Sequence, residues 1–395
     1  MNARSALHCS AMNKPVTRHQ RLSSRDDQSS RLQRQSPVNR AHWHEFQAAL
    51  ATLVSLARSF SSGQQRQRIE VCNSVIDGQM VSSQRGAALI TVLLAITLLT
   101  VVVVEFAYSA KVNYHLAYNT WRTLQATSLA RSGVNFAMLT LKRDRQQSAI
   151  DALGEDWARV LPPMPIGDGV VMVRAIDEQG KVNLNALRTT NGTIKAPWRD
   201  VTERLLQLRG LDSGLLDPLL DWLDSDDFPE SRGAERPYYL GLTPAISPRN
   251  GPLLTSGELG RIAGFTPAVR TRLDEVITVL PDHDTRVNVN TAPAEVLLAL
   301  FPEVEQEALQ QFIDSRVENP ARGTSDARKR LGLALRAEGL RLISVRSEFF
   351  AIHARATVEP IHQALAVIVH RQAAAVTPIS WQLTTPLALN PEERP

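Results

Sequence analysis

The sequence predicts an α+β protein: a long N-terminal transmembrane helix packed on an antiparallel sheet, with a large all-helical insert interrupting the sheet. Three observations lead there. Residues 87–104, AALITVLLAITLLTVVVV, contain no charge, Gly or Pro, and eighteen uncharged, mostly aliphatic residues reach the length of a membrane-spanning helix. Strand-like runs at 169–176 and at 347–370 stand on either side of a long central segment, the pattern of one sheet with an insertion. Between them, short apolar stripes at helical spacing alternate with tight turns.

At 395 residues the chain has room for two or more domains. Its charged fraction of 21% and apolar fraction of 43% are ordinary for a protein with a core. The net charge of +4 is unevenly spread: residues 1–86 hold twelve Lys or Arg against five Asp or Glu, which is +7, so the remainder carries −3. Lys and Arg favour the cytoplasmic side of a span, so the N-terminus is expected in the cytoplasm and the bulk is expected to be exported. Cys9 and Cys72 both precede the apolar stretch. The exported part therefore has no disulfide, and packing or a metal must stabilise it.

In chain order, residues 1–79 are rich in Arg, Gln and Ser, with one apolar helical patch at 44–60, and read as a disordered extension. Met80 is the expected natural start, which would make 80–86 a short basic leader. A secretory signal peptide puts its cleavage site after the apolar region. Here the small residue, Gly86, comes before it, so cleavage between Gly86 and Ala87 would keep the apolar helix in the mature protein. The transmembrane helix is expected over 87–110. Beyond it, Val112, Leu116, Thr123, Thr127, Ala130, Val134, Ala137 and Leu141 continue one helical stripe. One helix over 87–141 would be roughly 80 Å long; two helices broken near Gly133 is the alternative.

The first part of the sheet-bearing domain is assigned to 111–196, with a strand at 169–176, a turn at 177–180, and 182–184 returning antiparallel. The helical insert spans 197–342. Within it Thr266 before Pro267, and Thr291 before Pro293, read as N-caps with Pro in the first turn. The C-terminal strands fall in 343–375, with a turn at Pro360, and 376–395 reads as a Pro-rich mobile tail.

The densest constellation is Asp221, Asp224, Asp226, Asp227, Glu230 and Glu235: six carboxylates within fifteen residues. A hard cation with oxygen ligands would relieve their repulsion, and calcium accepts irregular cages. Counted from Asp224, Asp226 and Glu235 match positions 1, 3 and 12 of an EF-hand, but Phe228 and Pro229 occupy the fifth and sixth places. This is not an EF-hand, and a calcium site and a solvated acidic loop both remain open. Arg261, Arg270 and Arg272 around the turn at 263–265 suggest either a helix-hairpin-helix module that grips DNA phosphates or a small structural helical domain. Walker A, G-x-S-x-G and H-E-x-x-H signatures are absent, and His353, His362 and His370 read as sheet residues.

A basic residue, Gly86, and then an unbroken apolar helix resemble a type IV prepilin. Further residues narrow this: Gln84-Arg85-Gly86, residues 130–134 (ARSGV), 176–185 (IDEQGKVNLN), 221–224 (DWLD), 233–235 (GAE) with Tyr238 and Tyr239, 250–253 (NGPL) and 287–293 (VNVNTAP). In aggregate, over about residues 80–375, the chain resembles the minor pseudopilin K family of the type II (general) secretion pathway. That resemblance implies a pilin-like fold with a SAM/helix-hairpin-helix-like insert and a non-enzymatic, structural role at the tip of a pseudopilus that drives folded proteins across the outer membrane. It implies a tip complex with minor pseudopilins I and J, processing between Gly86 and Ala87 by prepilin peptidase with methylation, and a single pass through the inner membrane with a periplasmic head. It also implies calcium in the insert, with Asp221, Asp224, Asp226, Asp227 and Glu235 as candidate ligands. Most pilins carry Glu at the fifth mature position, where this chain has Thr91. A buried unpaired carboxylate in lipid costs about 3 kcal/mol on insertion scales, and a tip subunit has no neighbour to neutralise one. The alternative role is a component of a type IV pilus or DNA-uptake system whose insert touches nucleic acid; under the favoured reading no nucleic acid is expected.

Overall fold

The computed structural model describes residues 82–334, 338–373 and 375–384. The extension at 1–79, with its apolar patch, lies outside them.

Helix α1, Ser82–Gln147, is continuous over 66 residues. Among the described residues it is the one helix long and apolar enough to cross a membrane. Gly86 and Ala87 fall in its first two turns. Side chains from 88 to 121 are exposed. The hydroxyls of Thr91, Thr97 and Thr100 donate back to the carbonyls of Ala88, Leu94 and Ile96 at 2.8–2.9 Å, which removes their need for water. Farther along, Ala126, Ala130, Val134, Ala137 and Leu141 are buried, spaced by three or four so that they form one face. Gly133 does not break the helix. A Cβ there would lie 2.7 Å from Val173 Cγ2 and 2.9 Å from Val171 Cγ2, so its missing side chain lets α1 approach the sheet.

That sheet is antiparallel throughout. β1 (Met164–Ile166) pairs with β2 (Gly169–Asp177). β2 alternates buried and more exposed positions, with Val171, Val173 and Ala175 facing α1. The chain then leaves the sheet. A turn of 3₁₀-helix follows at Glu178–Gly180, capped by the Asp177 side chain. The next residues do not return antiparallel: β3 (Val182–Asn183) pairs in parallel with β4 (Ile277–Thr278). The polar Asn183 side chain makes this possible by donating to the Asp282 carbonyl at 2.7 Å and accepting from the Leu280 amide at 3.0 Å.

The insert carries α2 (Ala196–Leu208), α3 (Leu216–Leu223), α4 (Arg236–Leu240), α5 (Pro267–Leu273), α6 (Ala294–Leu300), α7 (Gln306–Ser315) and α8 (Thr324–Arg330). It is not all-helical. Besides the β3–β4 pair, β5 (Val287–Asn288) runs parallel to β6 (Ile343–Ser344). Its own core includes Trp198, Leu205, Leu219, Trp222, Tyr239, Leu300 and Phe312. Thr266 caps α5 as expected, accepting from the Val269 amide at 3.4 Å. Thr291 does not cap α6; its hydroxyl donates instead to Asp177 Oδ2 at 2.6 Å. A buried carboxylate outbids a helix end for that hydroxyl.

The chain re-enters the sheet at β7 (Phe349–Val358), which pairs with β2, and turns at Pro360 into β8 (Ile361–Gln372). The segment expected to be a tail then forms β9 (Ala375–Thr384), giving the order β1-β2-β7-β8-β9. Its proline, Pro378, misled the sequence reading. β9 is an edge strand, and its pairing with β8 shifts register between Ile368 and Val369, opposite Ser380 and Pro378, where a residue lacking an N–H is tolerated. Residues 385–395 lie outside the described structure.

Candidate metal centre

Asp221 and Asp224 are three residues apart at the end of α3. Helix periodicity puts them on one side, and the burial of Leu219, Leu220, Trp222 and Leu223 carries that end inward. Asp224 is the C-cap, in extended conformation, and turns the chain into an exposed loop at 225–229. The loop returns at Glu235, the residue before α4, whose side chain makes no capping hydrogen bond. One oxygen from each of Asp221, Asp224 and Glu235 lies within 4.8 Å of the others.

All three residues are buried, at 0%, 7% and 4% exposure. Asp221 Oδ1 accepts from the Glu230 amide at 2.9 Å. Asp221 Oδ2, Asp224 Oδ1 and both oxygens of Glu235 have no hydrogen-bond partner among the described residues. A buried carboxylate oxygen without a partner is costly, and oxygen donors brought this close are of the type that a hard cation accepts. Burial is the largest influence on each group and pushes its pKa up: Asp221 above its ordinary value, Asp224 to about 6, Glu235 to about 7. Mutual repulsion among the carboxylates adds to this. Gly233 closes over the site: a Cβ there would lie 1.8 Å from Asp221 Oδ2.

The other two candidate ligands sit apart from this triad. Asp226 and Asp227 are exposed. Asp226 Oδ1 accepts from the Phe228 amide at 2.9 Å, and Asp227 Oδ1 accepts from Asn250 Nδ2 at 3.1 Å and Arg236 Nε at 3.3 Å. One member of the site has no signature in the acidic run. Arg188 donates through one guanidinium nitrogen to Asp224 Oδ2 at 2.5 Å, from 36 residues upstream.

A second group, with Asp151 buried and Asp144 and Glu155 half-buried, also brings three carboxylate oxygens within 4.8 Å of one another. Arg371 lies among them. It pairs with Asp151 Oδ1 and with Asp144 Oδ2, the latter at 2.9 Å. Glu155 Oε2 accepts from the Ala152 amide and from Trp157 Nε1, both at 2.9 Å. Among the described residues, no carboxylate oxygen of this group is both buried and without a partner, in contrast to the first triad.

Comparison with known proteins follows the same lines. The family description "Type II secretion system (T2SS), protein K" matches residues 180–282 and again 287–346. A type II secretion system protein K of Pseudomonas aeruginosa is 33% identical over 264 residues, covering 64% of this chain and 78% of that protein. One from Klebsiella pneumoniae is 32% identical over 247 residues, covering 59% and 75%. The crystal structure of a GspK–GspI–GspJ complex from enterotoxigenic Escherichia coli contains a chain of the same fold, with a TM-score of 0.60 and 20% identity, covering 68% of this chain and 99% of that one.

Proposed function

We infer the function from one premise: this chain belongs to the type II secretion system protein K family. It is a minor pseudopilin of that system, a structural and membrane-anchored component. We place it at the tip of the pseudopilus, where it supports initiation of the filament and export of folded proteins across the outer membrane. The observation that carries this reading is α1, a single helix that begins as an exposed apolar rod and ends as the buried spine of an antiparallel sheet. Thr91, uncharged and bonded back to its own helix, suits a subunit with no neighbour above it. The related complex was crystallised with GspI and GspJ, and the corresponding minor pseudopilins I and J are the partners proposed for this chain.

Prepilin peptidase would cut between Gly86 and Ala87 and methylate the new amine, leaving 87–110 in the inner membrane with the N-terminus cytoplasmic and the head periplasmic. The head would consist of a pilin-like domain, 111–196 with 343–375, and a SAM/helix-hairpin-helix-like insert at 197–342. Asp221, Asp224 and Glu235 would hold calcium there, with Asp226 and Asp227 as outlying candidates. Calcium supplies the positive charge that the buried oxygens lack and so ties the end of α3 to the start of α4. N-terminal sequencing of the protein from membranes is the direct test. Ala87 is the expected first residue, with I and J co-purifying; a mature protein that begins beyond Val104 would overturn the reading.

A further inference from the structure

We propose that Arg188 is the specificity-determining residue of the cation site, matching the site to a divalent rather than a trivalent ion. The inference rests on the reading that Asp221, Asp224 and Glu235 bind a cation, and it concerns the charge the site requires. Those three carboxylates carry −3 when ionised. A guanidinium carries one positive charge, so the set with Arg188 carries −2, which one divalent ion neutralises.

The position of Arg188 is built rather than incidental. It is buried at 8% exposure. Its backbone forms an antiparallel bridge with Ile194, and the hairpin between them is closed by Thr189 N donating to Thr193 O at 2.8 Å. One guanidinium nitrogen donates to the Gly192 carbonyl at 2.6 Å and another to Asp224 Oδ2 at 2.5 Å. The arginine therefore occupies one Asp224 oxygen and leaves the other, Oδ1, buried without a partner in a residue clustered with Asp221 and Glu235. Of the other charges nearby, Asp227 is paired with Arg236 at 3.3 Å, Asp217 lies 4.0 Å from Arg232, Asp226 is exposed, and the half-buried Glu230 acts on Asp221 equally in every variant below, so the one-unit difference made by Arg188 stands.

The test uses the full chain in detergent, titrated with calcium and with terbium. Arg188→Gln leaves −3 and should raise the terbium-to-calcium affinity ratio by about tenfold or more, since a unit charge a few ångströms away in a partly screened site is worth at least that. Arg188→Lys keeps the charge and should keep the wild-type ratio. If Arg188→Gln does not fold, the pair Asp224→Asn and Arg188→Gln/Asp224→Asn answers the same question, because neither leaves Asp224 ionised without its arginine. The ratio should be higher in the double variant. Equal ratios with and without Arg188, in proteins that do bind calcium, overturn the proposal. A wild-type chain that binds neither ion overturns the underlying cation reading instead.

Discussion

The protein gathers two groups of three carboxylates, one wholly buried and one partly so, and treats them in opposite ways. Around Asp144, Asp151 and Glu155, the chain supplies its own cation: Arg371 is 2% exposed, pairs with both aspartates, donates to the Ser347 carbonyl at 2.8 Å and lies 4.5 Å from the Phe350 ring centroid. Asp151 passes the network on. Its Oδ2 accepts from the Ser347 amide at 2.8 Å, and the Ser347 hydroxyl donates to Asp177 at 2.6 Å. This group ties α1, β2 and β8 to the residues flanking the insert. Around Asp221, Asp224 and Glu235, the chain supplies a single arginine on a single aspartate and leaves four oxygens unmatched. Proximity of acids is the same in both. The count of one arginine to three carboxylates is also the same; what separates the two is whether the buried carboxylate oxygens already have hydrogen-bond partners.

The comparison can be broken most forcefully at Arg371. Arg371→Met leaves Asp144 and Asp151 buried without a cation, and unfolding free energy at alkaline pH should fall by about 3–5 kcal/mol. The loss should shrink on acidification, because burial, then repulsion by Glu155 and Asp151, already pushes Asp144 up to about 7, and protonation removes the orphaned charge. At the other group the corresponding perturbation is withdrawal of the proposed ion. Chelation should lower stability by about 2.7 kcal/mol relative to calcium at a hundredfold its Kd, read as a drop in thermal midpoint. Gly233→Ala sharpens this: its Cβ would collide with Asp221 Oδ2, so the calcium-dependent increment should vanish while the calcium-free protein stays folded.

The pH dependence should change sign with the ion. Glu235 and Asp224 have folded pKa values raised to about 7 and about 6, first by burial. A raised carboxylate contributes stability at low pH that is lost as pH rises through the folded value. The calcium-free protein should therefore gain on the order of 2 kcal/mol from about pH 8 to about pH 5.5, with Asp144 and Asp177 adding in the same direction. The calcium-loaded protein should lose stability over the same range, as protons displace the ion. The smallest effect is expected at Asp227→Asn, within about 0.5 kcal/mol of wild type, since its carboxylate is exposed and engaged by Asn250 and Arg236.

The sequence discloses these features unevenly, for physical reasons. Helix α1 and strands β2, β7 and β8 are legible because hydrophobic period alone specifies them. β9 is hidden by Pro378, which looks like a breaker unless the strand is known to be an edge. The parallel pairs β3–β4 and β5–β6 are two residues long and join distant segments, so no local pattern announces them. At the candidate metal centre, Asp221, Asp224 and Glu235 are visible as part of an acidic run. Which of its members turn inward depends on where α3 stops, at Leu223, and that left Asp226 and Asp227 outside. Arg188 could not be found from the run at all, because it arrives from another hairpin. The satisfied group was equally invisible: Asp144, Asp151 and Glu155 are brought together with Arg371 by a contact across 220 residues.

Equilibrium dialysis of calcium into the full chain in detergent, with Glu235→Gln and Arg371→Lys alongside, tests most directly the division of labour between the two groups. Wild type and Arg371→Lys should retain calcium against magnesium, and Glu235→Gln should lose it. Retention undiminished in Glu235→Gln, or no calcium held by the wild-type chain at millimolar concentration, would contradict the assignment of an ion to the unsatisfied triad.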